Sequence, residues 1–332
     1  MKLSNLNIKL GKDVEGNYLS YDIAQMHHLI IGGESGSGKT QFIQNTILQL
    51  TQNNTPEEIK FIMVDCSGVN LDTYSNIPYM YAPVLAEVIK VRAMLKWLDS
   101  EQMRRYDLLK REMVRTSDDY NEKFGEIILP KIVVIINELA ELAHDYKEIE
   151  YILVRIMQFS KYSGINIIFG TQSVNGNVVK GMIKANIASR IAFKTNNATE
   201  SRLILDQKGA EELNGKGDMF FISPVSTKPI RLQGDYIAEK ELKGRISELE
   251  KQTPDYNEEL LSAIENSRYE FTEEELNNAI KILKEAGKIT TSALMVGLKI
   301  SYAKASKILD ILEEKGIISK VDSITKRRKF LN

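Results

Sequence analysis

The sequence contains little of what stabilises or anchors proteins outside the cytoplasm. It has one cysteine, Cys66, so no internal disulfide can form, and a disulfide-stabilised secreted fold is excluded. No apolar run approaches the roughly 20 residues that a membrane-spanning helix needs, because charges and a proline interrupt the most apolar segment, 127–142. The net charge of −1 does not by itself indicate a nucleic-acid-binding protein. We therefore expect a cytoplasmic protein without a membrane segment.

Glycine is concentrated in one short stretch, 32–38, between the apolar run 29–31 and a segment whose apolar residues have helical spacing. Gly33, four further residues, and then Gly38, Lys39 and Thr40 form the phosphate-loop pattern. A Gly/Ser surface loop is the alternative, but the flanking strand and helix favour a loop whose backbone N–H groups bind phosphates. Lys39 would reach the terminal phosphates of ATP, and the Thr40 hydroxyl would bind Mg²⁺. The candidate ATP-binding residues are Gly33, Glu34, Ser35, Gly36, Ser37, Gly38, Lys39 and Thr40.

An apolar segment, 132–136, ends in Asn137 and Glu138. In phosphate-loop enzymes, acids at the end of such a strand organise Mg²⁺ and orient the attacking water. Glu138 is thus the candidate base, although an acidic residue at a helix start is the alternative. Asn137 would contact Mg²⁺ through water, without a negative charge. Gln172, after the apolar segment 166–170, is a candidate sensor of the terminal phosphate.

The order of apolar segments predicts an α/β fold with a mainly parallel sheet. Five apolar strands alternate with helical segments, at 29–31, 60–65, 132–136, 166–170 and 189–193. We also predict a hairpin within 5–21, a long helix over 84–112, a helix near 199–205, and a hairpin pairing 218–222 with 230–232.

Motifs well beyond the phosphate loop make the chain similar to the FtsK/SpoIIIE family of double-stranded DNA translocases. They lie at 10–13, 77–78, 183–187, 189–193, 201–207, 209–211 and 215–219. The resemblance covers about residues 5 to 245. It implies a RecA-like phosphate-loop ATPase that assembles as a hexameric ring, with ATP between subunits and DNA in the pore.

The chain departs from the family at three places. Asn137 replaces an aspartate, Ser173-Val174 replaces Arg-Pro, and Lys161 stands where the family has an arginine that reaches the neighbour's ATP.

By resemblance, Lys161 acts in trans, with Arg202 and Arg190 as further trans candidates. The pore loop is 173–184, where Lys180 and Lys184 supply the charge. Lysine lacks the planar fork of arginine. We therefore expect the three departures from the family to lower the rate of ATP hydrolysis more than the affinity for ATP. An engineered Asp-to-Asn exchange would give the same sequence.

The C-terminal segment predicts a winged helix-turn-helix domain. Helical patterns at 271–286, 292–298 and 302–315 precede a hairpin bracketed by 317–318 and 330–331. From Lys299 onward there are nine basic and four acidic residues, a net +5. The candidate DNA-binding residues are Tyr302, Lys304, Lys307, Lys326, Arg327 and Arg328. The related family reads bases with an asparagine and two arginines where this chain has Ala303, Lys304 and Lys307, so we expect a different or weaker sequence preference.

These observations predict an ATPase domain at 1–247, a linker at 248–267 and a winged-helix domain at 268–332. The function that the resemblance implies is ATP- and Mg²⁺-dependent translocation of double-stranded DNA by a homo-hexamer, on a plasmid, phage or conjugative element. One alternative is an ATP-switched DNA-binding replication or partition factor with slow hydrolysis. A secretion-type ATPase is a third interpretation, which the winged helix disfavours.

Overall fold

The computed structural model describes residues 3–138, 147–172, 185–267, 271, 273–321 and 328–331. They form two units that divide between Ile264 and Glu265. Among these residues, no helix is both long and apolar enough to cross a lipid bilayer.

The first unit contains nine strands, six of the described α-helices and most of a seventh, α7 (Glu258–Ser267). The strands are β1 (Asn7–Lys12), β2 (Tyr18–Asp22), β3 (Leu29–Gly32), β4 (Ile59–Val64), β5 (Lys131–Ile136), β6 (Ile165–Thr171), β7 (Ser189–Phe193), β8 (Asp218–Ser223) and β9 (Ser226–Gln233). The helices are α1 (Lys39–Asn53), α2 (Val88–Arg111), α3 (Ser117–Phe124), α4 (Lys147–Ser163), α5 (Ala198–Leu205), α6 (Glu239–Leu249) and α7 (Glu258–Ser267).

All nine strands form one sheet in the order β2-β1-β9-β8-β7-β3-β6-β5-β4. The five strands from β7 to β4 are parallel to one another. The remaining four strands pair antiparallel and extend the sheet beyond β7. The predicted α/β fold with a mainly parallel central sheet is confirmed.

Residues along each parallel strand alternate between two cores, one on each face of the sheet. On one face, Phe61 and Ile135 pack with residues of α1. On the other face, Ile62 and Ile136 pack with residues of α2 and α4. Because both faces are covered, β4 and β5 are buried along their whole length, which explains their unbroken apolar sequences. The phosphate-loop helix α1 is thereby held against one face of the sheet.

The segment 248–267, predicted as a linker, is in large part packed on the first unit. The Tyr256 hydroxyl donates to the Ser75 carbonyl at 2.8 Å, and the Asn257 N–H donates to the Tyr81 carbonyl at 2.9 Å. Leu260 and Ile264 of α7 lie in the core with α2. Because the apolar side of α7 is buried, the part of the predicted linker that is free of the core ends before this helix.

The second unit is a three-helix domain consisting of α8 (Glu273–Glu285), α9 (Thr291–Leu298) and α10 (Tyr302–Glu314). Ala279, Leu294 and Ile308 are among the residues that form its separate apolar core. The Ser301 hydroxyl accepts the Lys304 N–H at 3.3 Å and caps α10. An antiparallel bridge joins Ile318 to Phe330 at the base of the predicted wing.

A buried histidine, His28, joins the start of β3 to β6 and α4. Its Nδ1 accepts the Ile167 N–H at 3.1 Å, so the ring proton is on Nε2, which lies 2.8 Å from the Ser160 hydroxyl oxygen. Burial disfavours the imidazolium form and, with a smaller contribution from His27, lowers the pKa of His28 to about 4. His28 is therefore a structural residue that stays neutral in the folded chain.

Acidification should destabilise the first unit through His28. In the unfolded chain the pKa of His28 is 6.5. Between pH 6.5 and about pH 4 the unfolded state therefore binds a proton that the folded state does not, and the free energy of unfolding falls as the pH falls. From near pH 7 to about pH 4.5, we expect this group alone to lower the free energy of unfolding by about 2 kcal/mol. Urea unfolding at both pH values measures the free energy of unfolding of wild type and of His28→Gln. The contribution of His28 to the loss at low pH should be present in the wild type and absent from His28→Gln. His27→Gln is the matched control, and an equal change in slope there would contradict the assignment.

Candidate functional site

Four consecutive parallel strands end at one edge of the sheet and place the candidate residues in a row. In the order β3-β6-β5-β4, the residues following them are the phosphate loop, Gln172, the pair Asn137–Glu138, and Asp65. Ligands of open α/β sheets bind at such carboxyl edges. This edge is the candidate active site.

The phosphate loop needs glycine at two positions because its backbone touches other segments. Gly33 has φ +151°, and a Cβ there would lie 2.8 Å from the Phe193 Cβ. Gly38 has φ +123°, and a Cβ there would lie 2.8 Å from the Gly217 nitrogen. The Gly217 N–H also donates to the Ser37 carbonyl at 2.8 Å. The turn before β8 thus holds the loop in place.

Lys39, at the start of α1, is buried and faces its own loop. Its ammonium group donates to the carbonyls of Gly33 and Glu34 at 2.7 and 2.8 Å. Burial lowers the pKa of Lys39 to about 8, although the carboxylates of Glu138 and Glu34 favour the charged form. A bound phosphate would give this poorly solvated cation a stronger partner than two carbonyl groups.

Glu138 is fixed against the end of β6. Its Oε1 accepts the Thr171 hydroxyl at 2.9 Å, and its Oε2 accepts the Gln172 N–H at 2.7 Å. These two contacts fix the orientation of the carboxylate, as a positioned general base requires. Gln172 itself is exposed next to the carboxylate. The structure therefore places Lys39, Glu138 and Gln172 at one edge of the sheet.

Asn137 contacts Asp65, a residue to which the sequence assigned no role beyond its place at a strand end. The Asn137 side-chain Nδ2 donates to Asp65 Oδ1 at 3.2 Å. Asp65 is fully buried and also accepts the Ser67 hydroxyl at 2.6 Å and the N–H groups of Asn70 and Leu71 at 2.7 and 2.9 Å. Burial disfavours its charge, but these hydrogen bonds outweigh burial and hold the pKa of Asp65 below its usual range.

The oxygens at this edge fit a Mg²⁺ ion that arrives with a triphosphate. Mg²⁺ keeps several waters and takes few protein ligands in nucleotide sites. Among the described residues, no cluster of three or more His, Cys, Asp or Glu side chains is arranged to hold a metal. Thr40 follows Lys39 on α1, and Asn137 follows β5, two strands from β3 in the sheet. Thr40 therefore remains the predicted direct ligand of the ion, and Asn137 the predicted ligand through water.

A cavity of about 380 Å³ adjoins the phosphate loop on the side of the antiparallel strands. Its lining includes Gly36, Gln41, Phe42, Phe193 and Tyr236. Its size lies within the roughly 300–1,000 Å³ of small-ligand sites. Aromatic and amide groups beside a phosphate loop are suited to a nucleoside.

The candidates for action in trans lie elsewhere. Lys161 is exposed near the end of α4, at the amino end of β6, and β6 spans about 20 Å between it and Gln172. It therefore cannot reach the phosphate loop of its own subunit. Arg202 is exposed on α5. Arg190 is bonded to Asp206 and to the Ile204 carbonyl within the subunit, which argues against a role for Arg190 at a neighbour's site.

In the second unit, the first residues of α10 carry part of the predicted DNA-binding set. Tyr302 and Lys307 are exposed. Lys304 is half-buried, with its ammonium 3.7 Å from a Glu275 carboxylate oxygen. Arg328 donates to Glu313 at 3.3 Å, so it ties the wing to α10. The predicted contacts Lys180, Lys184, Lys326 and Arg327 lie outside the described residues.

The fold and this edge define a phosphate-loop nucleotide-binding ATPase core followed by a winged-helix domain. The family pattern described as FtsK/SpoIIIE matches residues 2–175, and the pattern described as the Ftsk gamma domain matches residues 270–332. The chain belongs to the FtsK/SpoIIIE family, as the sequence motifs predicted.

Curated relatives match nearly the whole chain. A protein named DNA translocase FtsK from Caldanaerobacter subterraneus is 39% identical over 99% of this chain and 47% of its own length. One of the same name from Mycobacterium tuberculosis is 34% identical over 94% of this chain and 40% of its own length. The chain thus spans about half the length of the curated relatives it matches.

Solved structures share the fold. The conjugation coupling protein TcpA of pCW3, solved with ATPγS, has a TM-score of 0.65 and 25% identity, covering 75% of this chain and 71% of its own. The type VII secretion ATPase EccC of Thermomonospora curvata has a TM-score of 0.66 and 20% identity, covering 77% of this chain and 32% of its own. The EccC likeness supports the fold alone.

Proposed function

We propose that the chain is the motor part of an ATP-dependent double-stranded DNA translocase. The observation that carries this proposal is the row of Lys39, Gln172 and Glu138 at one sheet edge, in a chain that also carries a gamma domain. The relatives named DNA translocase FtsK support the substrate assignment.

In the proposed reaction, Lys39 and the loop N–H groups bind the phosphates, and Glu138 accepts a proton from the attacking water. Mg²⁺, when bound with ATP, would neutralise charge that develops on the phosphates. Thr40 and Asn137 would hold it, Asn137 through water. The Glu138 carboxylate is held ready by Thr171 and Gln172, so the base needs no rearrangement before the reaction.

DNA-stimulated ATPase activity tests the function. A motor should show turnover that rises several-fold with long duplex DNA and falls with added salt, because salt weakens phosphate contacts. DNA binding without stimulation would instead support an ATP-switched DNA-binding protein, which the uncharged Asn137 favours. Indifference to DNA would contradict both functions and leave a secretion-type role.

We further propose that the active form is an oligomer of this chain. Lys161 lies at the opposite sheet edge from the phosphate loop of its own subunit, so a role at the phosphates requires a neighbour. A homo-hexameric ring in the cytoplasm is the form that the family resemblance implies. Origin from a mobile element stays a prediction from sequence.

Mixing two inactive variants should restore activity. Lys39→Ala removes the phosphate contact and Lys161→Ala removes the trans cation, so each should be inactive alone. A mixed assembly contains some interfaces with both residues intact, and an equal mixture should regain about a quarter of wild-type turnover if each interface acts independently. Lys39→Ala mixed with Glu138→Gln is the control for reassembly. A monomeric wild type at working concentration, or no recovery at any ratio, would contradict the ring.

Substitutions in the second unit should separate sequence preference from general affinity. The pair Lys304→Ala and Lys307→Ala, at the start of α10, should reduce differences between duplexes by about 1–3 kcal/mol for each base that is no longer recognised. The pair Lys326→Ala and Arg327→Ala should weaken all duplexes alike and reduce the log–log salt slope by roughly 0.9 per phosphate contact. Titration against a duplex library at two salt concentrations measures both. Equal effects from the two pairs would contradict this division.

A further inference from the structure

The inference concerns the hydrogen bond between Asn137 and Asp65, and it rests on the Mg²⁺-ATP site proposed above. An amide side chain has a donor end and an acceptor end, whereas an ionised carboxylate only accepts. With Asp65 as its partner, Asn137 must direct Nδ2 toward Asp65, as the 3.2 Å contact shows. Its orientation is thus set by chemistry and not by steric fit.

The strand order determines where the amide oxygen then points. Asp65 follows β4, which lies on one side of β5, whereas β6 and β3 lie on the other side. Since Nδ2 is directed to the β4 side, Oδ1 is left for the side on which Gln172 and the phosphate loop lie. A water bound to a metal ion donates hydrogen bonds, and only an acceptor such as Oδ1 can receive them.

We propose that Asp65 is the positioning residue of this active site: it orients Asn137 so that the amide oxygen, and not the amide nitrogen, faces the Mg²⁺-bound water. The chain thereby keeps a hydrogen-bond acceptor at position 137, although it lacks the negative charge of the family's aspartate there. Asp65 does not replace the missing aspartate as a metal ligand, because its carboxylate accepts hydrogen bonds from Ser67, Asn70, Leu71 and Asn137.

The isosteric change Asp65→Asn tests this by reversing the bond. Asp65 Oδ2 accepts the N–H groups of Asn70 and Leu71, so the new amide at position 65 must place its only oxygen there. The NH₂ group of the new amide then faces Asn137, which has to turn over and present Oδ1 to it. The Asn137 NH₂ group would now face the Mg²⁺-bound water, to which it can offer no acceptor.

The expected result is a selective loss of the Mg²⁺ contribution to nucleotide binding. For Asp65→Asn, the Mg²⁺-dependent affinity for a non-hydrolysable ATP analogue should fall by about 10–100-fold, the usual effect of losing a partner of a metal ligand. Binding of the analogue without Mg²⁺ should not change. The control Ser67→Ala removes one hydrogen bond to Asp65 without altering Asn137, and its Mg²⁺ dependence should equal that of the wild type.

The double variant Asp65→Asn/Asn137→Asp should restore Mg²⁺-dependent binding. In this variant the amide NH₂ group at position 65 donates to one carboxylate oxygen at position 137 and leaves the other oxygen for the metal-bound water. The single variant Asn137→Asp should behave worse than the double one, because two carboxylates would face each other at about the 3.2 Å of the present bond. Restoring the family's aspartate alone is therefore not expected to produce a better enzyme.

Thermal unfolding of the four proteins without nucleotide provides a second, independent measurement. Asn137→Asp should lower the melting temperature, and adding Asp65→Asn should recover it, so the two effects are non-additive. Additive effects, or unchanged Mg²⁺-dependent binding in Asp65→Asn, would overturn the inference. A wild type that binds the analogue equally with and without Mg²⁺ would overturn the proposed function instead, while the unfolding cycle still decides how the pair is bonded.

Discussion

Replacing Lys39 by alanine should reduce ATP turnover by about 10²–10³-fold, the scale found when one donor to a developing phosphate or oxyanion charge is removed. The ammonium group of Lys39 is buried at the phosphate loop and donates hydrogen bonds to two carbonyl groups. A triphosphate that loses this partner keeps only the N–H groups of the loop. Affinity for ATP and steady-state turnover measure the effect.

The fold of Lys39→Ala should remain intact. The bond from the Gly217 N–H to the Ser37 carbonyl holds the loop without the lysine, and the variant no longer buries an ammonium group. Circular dichroism and the melting temperature should thus match those of the wild type. Lys240→Ala, an exposed lysine on α6, is the matched control and should turn over ATP normally. Normal turnover in Lys39→Ala would place the nucleotide elsewhere.

Glu138→Gln should lower kcat by on the order of 10²-fold or more, the contribution of a positioned general base. The substitution removes the proton acceptor and also disturbs the site, because a glutamine has only one oxygen for the two donors. Either the Thr171 hydroxyl or the Gln172 N–H would face an NH₂ group. ATP affinity should change far less than kcat, since Lys39 and the loop remain.

A second substitution distinguishes catalysis from positioning at Glu138. Thr171→Val removes one hydrogen bond to the carboxylate but keeps the base, so kcat should fall by a smaller factor than in Glu138→Gln. Glu122→Gln, an exposed carboxylate on α3, is the control for loss of charge. If Glu138→Gln hydrolysed ATP as the wild type does, the base would have to be another group.

The sequence predicted the strands of the parallel sheet well because their apolar runs are short and end in polar residues. The segments predicted at 132–136 and 166–170 are strands β5 and β6, each within one residue at its start and end. Strand order could not be predicted, because local apolarity does not show that β3 lies between β6 and β7. That order is what brings Asp65 beside Asn137.

The features that were not predicted have identifiable reasons. Helix α4 has buried residues at Ile149, Ile152 and Ile156, a helical spacing that the sequence shows, but the segment was not assigned. The segment 248–267 was interpreted from its polarity, whereas Leu260 and Ile264 pack into the core. His28 gives no local signal at all, because its hydrogen-bonding partners lie more than 120 residues away in the sequence.

The hydrogen bond between the phosphate loop and the turn before β8 makes Gly217 a spectroscopic reporter of the nucleotide site. Its N–H is bonded to the Ser37 carbonyl, so that amide exchanges hydrogen with solvent only when the loop and the turn separate. Bound nucleotide that holds the loop closed should therefore slow exchange at Gly217, far from the loop in sequence. The hydrogen-exchange rate of the Gly217 amide would thus report how often the site opens.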